Sequence, residues 1–228
     1  MKKLITALIT CLLLSTNVFA NSTYVDTDTD RLIQTQWYSD YDMVEYTYTA
    51  RFEHELYKQF KDNNDRSFTP ITWNEYINEP YNRYAVKEFA ETMRVVQDKR
   101  NLNDFQIATD ILRFVQNIPY KSDIESKGNV EWPKYPIETI YENEGDCEDK
   151  TILLAGILRE YGFDVIFILF NNHIAVGINA DLPSGVYIEH NNKRYFVMES
   201  SSPGWNIGEC SNIYTSATPI EIGGIVND

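Results

Sequence analysis

Apolar positions along this chain change period several times, and each change marks a new element. The first block, Leu4 to Leu14, is an apolar run interrupted by Thr6 and Thr10, behind Lys2 and Lys3 and ahead of the small-residue spacing Val18 and Ala20. This is the three-part layout of an export signal, so residues 1–20 are expected to be removed and the mature chain to start at Asn21. The run is too short to cross a bilayer as a helix, and no other stretch approaches the roughly 20 apolar residues required. The expected product is exported, periplasmic or extracellular, with no membrane anchor left after processing.

Residues 21–31 are polar and read as a frayed end. Val44, Tyr46 and Tyr48 then alternate before the spacing turns helical near His54, which predicts a strand followed by a helix, or one long strand. Val86, Phe89, Met93 and Val96 fall three and four apart, an amphipathic helix. A second follows with Phe105, Ile107, Ala108, Ile111, Leu112 and Val115, capped by Asn103 or Asp104. The stretch from Lys121 to Gly145, punctuated by Gly128, Pro133 and Pro136, reads as a long loop, and a loop of that length usually shapes a site.

Beyond it, Cys147 to Tyr161 predicts a helix with Ile152, Leu153, Leu154, Ile157 and Leu158 inward and Gly162 ending it. "FDVIFILF" is apolar throughout, a buried central strand. Asn171 and Asn172 turn the chain into a second strand, "HIAVGI". "GVYIEHNNKRYFVMES" is a hairpin with Asn191 and Asn192 at its turn. Helices followed by a helix and several antiparallel strands give an α+β fold. Residues 114–228 form its core, and residues 21–113 are a strand and helical region of the same globule.

Composition narrows the partners. The formal charge is −14, and loss of residues 1–20 takes away two lysines and no acid, leaving −16. Nucleic acid and anionic membrane surfaces are thereby excluded as natural partners. Only Cys147 and Cys210 survive processing; a bridge between them would abolish thiolate chemistry, but two cysteines 63 positions apart are no disulfide framework. Among the histidines, His54 between Glu53 and Glu55 and His190 beside the hairpin turn both read as surface residues.

Cys147 is therefore the residue to explain. At a helix start it feels the positive end of the macrodipole and unpaired N–H groups, which favour a thiolate. Asp146, Glu148 and Asp149 oppose this by like-charge repulsion, and the sequence does not rank the two effects. A partner base would decide the matter. His173, at the entrance of the second strand, is the candidate, with Glu199 at the end of the hairpin able to hold the ring through its other nitrogen. Against this stands a plain structural cysteine and a satisfied histidine. Zinc is excluded on spacing, since neither CxxC nor HxxxH occurs around Cys147 and His173.

The segments "GDCEDKTILLAGILREYGFDV", "HIAVGI" and "YFVMESSSPGWNIGE", in this order, resemble the transglutaminase-like superfamily of papain-related cysteine enzymes. The lead-in "FVQNIPYKSDIESKGNVEWPKYPIETIYENEGDCED" is similar to that of exported bacterial and archaeal members, so the resemblance covers about Phe114 to Glu209 and is weaker from Trp37 onward. It implies a papain-like fold with the catalytic helix packed on an antiparallel sheet. It also implies a thiol-dependent acyl transfer to water or an amine, with Cys147 as nucleophile, His173 as base and acid, and Glu199 as orienter. Most members carry Asp at that last position, so Glu199 is a departure.

For the oxyanion hole the expected donors are the Cys147 N–H with Gln116 or Trp132. No cofactor is expected, although the resemblance makes Asp146, Glu148 and Asp149, around the cysteine, candidate calcium ligands beside their ordinary reading as helix-start acids. Peptidase or amidase action on a protein or peptide is favoured over cross-linking. The rival is a cell-envelope binding module that keeps the scaffold without turnover.

Overall fold

In the computed structural model, residues 6–12, 25–26, 30–41, 43–128, 131–212 and 215–223 are described. Lys2, Lys3, Val18, Ala20 and the processing point before Asn21 lie outside them. The first sheet is antiparallel, in the order β1 (Thr6–Leu12), β4 (Val44–Glu53), β3 (Asp30–Ser39), β2 (Val25–Asp26). Part of the apolar run read as an export signal thus pairs along the edge of β4, and loss of residues 1–20 would leave β4 as that edge. Among the described residues no helix is long and apolar enough to cross a membrane.

The alternation read from Val44 continues through Ala50 and Phe52, all buried, because successive side chains of a strand point to opposite faces. The chain then becomes helix α1 (His54–Lys61), so strand followed by helix is the arrangement formed. A short helix α2 (Trp73–Asn78) follows, not anticipated from the pattern. Next come the two amphipathic helices, α3 (Pro80–Arg100) and α4 (Asp104–Gln116). Asn103 caps α4 with a reciprocal Asn103–Gln106 pair. Phe89 and Phe114 stack at 4.2 Å and meet Tyr48 of β4 edge-on at 5.0 and 5.4 Å, which fixes these helices on the first sheet.

The stretch read as one long loop contains two further helices, α5 (Asp123–Lys127) and α6 (Pro136–Glu142). Pro136, taken as a loop signal, is the first residue of α6, where its missing N–H costs nothing. Helix α7 (Cys147–Tyr161) begins and ends where expected, with Gly162 in the left-handed conformation at φ 109°. It packs against α3, α4 and α6 on one side and the second sheet on the other, so it is buried almost all round.

That second sheet runs β7 (Tyr187–His190), β8 (Lys193–Met198), β6 (Ile174–Asn179), β5 (Val165–Leu169), β9 (Thr218–Glu221), antiparallel throughout. Asn191 and Asn192 take φ of 50° and 62°, the turn geometry their hairpin required. One apolar cluster runs from Ile33 of β3 to Met198 of β8, joining the region before Phe114 to the region after it. The architecture is mixed α+β, a central helix layer between two antiparallel sheets.

Candidate active site

The start of α7 is fixed from three directions. Its cap is reciprocal: Asp149 N–H donates to Asp146 Oδ1 and Asp146 N–H to Asp149 Oδ2, each at 3.3 Å. Asp149 is fully buried and also accepts from the Lys134 N–H at 2.7 Å and the Lys134 ammonium at 3.1 Å. Gly145 is bridged to Tyr120 through Gly145 N–H to Pro119 O and Lys121 N–H to Gly145 O. A side chain there would not fit, since its Cβ would come within 2.8 Å of Asp149 Cβ.

These supports place Cys147 half-buried at the first position of the helix, with its Sγ donating to Glu148 Oε2 at 2.7 Å. Burial, then the Glu148 carboxylate, push the thiol up, so it is protonated in this arrangement. The acids around it share the strain. Asp123, Asp146 and Glu148 each present an oxygen within 4.8 Å of the others. Burial, then Asp149 and Glu148, push Asp146 up to about 9; burial, then a bond with Glu131, push Glu148 up to about 7. Tyr120, 56% exposed beside the thiol, is pushed up to about 12 by burial and then by Cys147.

His173 stands in the turn immediately before β6 rather than within the strand. Its Nε2 is 2.7 Å from Glu199 Oε2, and Glu199 Oε1 accepts from the Ser201 N–H at 2.8 Å. Burial pushes Glu199 up, but these two partners outweigh it and hold the carboxylate below the ordinary glutamate value. The pair exists because β6 and β8 are neighbours, so residues just outside their paired ends meet. Thr151, one helical turn after Cys147 on the same face, donates to Ile174 O at 3.2 Å. That bond seats the cysteine's face of α7 against the strand entrance carrying His173.

The other expected residues are placed differently. Gln116 is buried and gives its amide protons to Glu199 O at 2.8 Å and Trp205 O at 2.9 Å, making it a strut between α4 and the turn after β8 rather than a donor aimed at a substrate. Trp132 is half-buried under the Arg66 guanidinium; its backbone N–H, not its indole N–H, donates to Asp123 Oδ2. Cys147 and Cys210 are both free thiols. His54 is not a bare surface residue: Nδ1 bonds the Tyr141 hydroxyl at 2.8 Å, while His190, partly exposed, meets Glu221 at 2.9 Å.

Sequence reasoning missed Arg113, which donates to Gln116 Oε1, Trp205 O, Asn206 Oδ1 and Asp40 and so backs the strut. Its only signal was a polar pair, Arg113 and Gln116, three apart in an apolar helix. No family model matches the chain, and no curated protein matches it.

The acids predict a pH dependence of stability. Asp146, Glu148 and Asp149, the last pushed up to about 6 by burial against the pull of Lys134, hold protons in the folded state that the unfolded chain has released. Stability therefore falls as pH rises from 5 to 7. Lys150, pulled down by burial to about 7, acts in the opposite sense only above that value. Each proton held in excess is worth about 1.4 kcal/mol per pH unit. Thermal melts in a chelating buffer should show Tm dropping by several degrees between pH 5 and 7. A flat or rising profile contradicts this account.

Proposed function

We propose that this chain is an exported, thiol-dependent acyl-transfer enzyme of transglutaminase-like fold, a cysteine peptidase or amidase acting on a protein or peptide amide. The observation that carries the reading is the buried His173–Glu199 pair at 2.7 Å, set at the strand entrance against which the Cys147 face of α7 is seated.

With Nε2 committed to Glu199, Nδ1 is the ring nitrogen for the thiol. His173 takes the Cys147 proton and the sulfur adds to the amide carbonyl. The Cys147 N–H, which at a helix start has no intrahelical acceptor, faces the developing oxyanion. Collapse of the adduct breaks the C–N bond, with His173 returning its proton to the leaving amine. Water then adds to the thioester with His173 again as base, releasing acid and free thiol. An amine in place of water would give a cross-link, and hydrolysis is favoured on the resemblance alone.

The thiol's bond to Glu148 is the obstacle to this chemistry. Three carboxylates within 4.8 Å of one another offer oxygen ligands alone, and these suit a hard divalent cation such as calcium. Held by Asp123, Asp146 and Glu148, it would cancel the negative field that disfavours the thiolate. The remaining chemistry belongs to Cys147, His173 and Glu199.

The raised Cys147 thiol favours one rival, a non-catalytic envelope-binding module on the same scaffold. Iodoacetamide labelling separates the two, read at Cys147 by peptide mass spectrometry from pH 5 to 9, with calcium or chelator. The enzyme should label in calcium at pH 6.5 at least about tenfold faster than His173→Ala, as a thiolate held by an imidazolium does. Rates that rise only near the unperturbed thiol value of about 8.5 in both proteins would leave the module.

A further inference from the structure

Among the described residues two lysines are completely buried, and they are buried differently. Lys134 lies between two carboxylates, Asp149 at 3.1 Å and Glu142 at 3.3 Å, an ordinary way to keep a cation from water. Lys150, three residues after Cys147, makes its described bonds to carbonyl oxygens alone: Ile118 O at 2.8 Å, Ser201 O at 3.1 Å and Gln116 O at 3.3 Å. An ammonium has three protons, and here it has three acceptors. An aliphatic side chain would fill the same volume without the several kcal/mol of desolvation that a buried cation costs, so the charge must be explained by what it touches.

One of those carbonyls, Gln116 O, is the last of α4, where unpaired C=O groups carry the negative pole of the helix, and Ile118 O lies two residues beyond it. The third belongs to Ser201, whose N–H clamps Glu199 Oε1. Gln116 repeats the arrangement: its carbonyl accepts from Lys150 and its amide donates to Glu199 O. Both groups that fix Glu199 in place are thus held by one side chain, and that side chain rises from the nucleophile's own helix. The negative charge of Glu199 also favours the charged ammonium, against the larger effect of burial.

Resting on the triad reading above, we propose that Lys150 is a positioning residue of this site: its ammonium ties the Cys147 helix to the two groups that hold Glu199, and offsets the carboxylate's charge. The lysine acts through Glu199 and His173 and does not touch substrate. Removing the charge should therefore misalign the histidine with little change in the position of the sulfur.

The test is a double-variant cycle on the full chain, reading iodoacetamide labelling of Cys147 at pH 6.5 in calcium. Lys150→Met should label at least about tenfold slower than wild type while still giving a cooperative melt. His173→Ala should be slowed similarly, and the double variant should be no slower than His173→Ala alone, because both changes break one unit. A merely structural lysine would loosen the site, and the exposed thiol would label faster, or the two losses would multiply. Either result overturns the proposal, as does labelling of Lys150→Met within twofold of wild type. If Lys150→Met does not fold, Lys150→Gln, which keeps two donors, takes its place in the cycle with the same criteria. Equal labelling of wild type and His173→Ala would sink the triad itself, whereas a His173-dependent wild type with an unaffected Lys150 variant sinks only the present inference.

Discussion

Replacing Asp149 with alanine should cost the protein about 3–5 kcal/mol, because it strands one member of a buried ion pair. The carboxylate is fully buried and accepts from the Lys134 N–H, the Lys134 ammonium and the Asp146 N–H. Lys134 would keep Glu142 and the Glu144 carbonyl, both longer contacts at 3.3 Å. For a chain of this size each kcal/mol moves Tm by roughly 2–4 °C, so a fall of about 6–20 °C is expected. Because burial pushes Asp149 up to about 6, the melts belong at pH 7.5, where it is ionised. Asp149→Asn, which keeps an acceptor for the Lys134 N–H, should lose less. A fall below about 2 °C for the alanine variant would mean that Lys134 is satisfied by its other partners and that Asp149 is not what anchors the start of α7.

The parts of this fold that were legible in the sequence are those whose signal is local. Helix α7 announces itself by an acid cap, an apolar run and Gly162; the second sheet's hairpin by its paired asparagines; β4 by five inward apolar residues in alternation. The first sheet's β3 was hidden because its inward face mixes Thr35 and Ser39 with Ile33 and Trp37, so polarity does not alternate. Residues 25–26 were taken as frayed, yet pair with β3, and β9 carries Pro219, which argues against a strand unless it is an edge strand, as here. Helices α5 and α6 are too short for periodicity to show. At the site, the pairing of His173 with Glu199 could be read, because neighbouring antiparallel strands bring their ends together. What could not be read is the set of long-range bonds around it. Gln116 meets carbonyls more than eighty residues away, and nothing in "DKTILLAG" says that Lys150 is buried.

Those long-range bonds bear on Glu199, where the superfamily that the sequence resembles mostly carries Asp. On the proposed triad, Glu199→Gln should lower turnover about 10⁴-fold, the scale of loss seen when a triad acid becomes an amide and the histidine tautomer is no longer fixed. The amide can keep one contact but cannot accept from both the His173 Nε2 proton and the Ser201 N–H as a carboxylate does. Glu199→Asp is the sharper variant. If the longer side chain were a defect, aspartate would restore activity. The geometry argues the reverse, because Oε2 reaches His173 at 2.7 Å while Oε1 is seated on Ser201 at 2.8 Å, and Gln116 holds the Glu199 backbone from behind. With the backbone fixed, a shorter acid retracts by about 1.5 Å, and misplacement of that order costs about a hundredfold. The loss should fall on kcat with KM little changed, since the proposed role of Glu199 is to orient the base and not to bind substrate. Turnover of Glu199→Asp equal to or above wild type would show that this turn had not been built around glutamate, and would return weight to the binding-module reading.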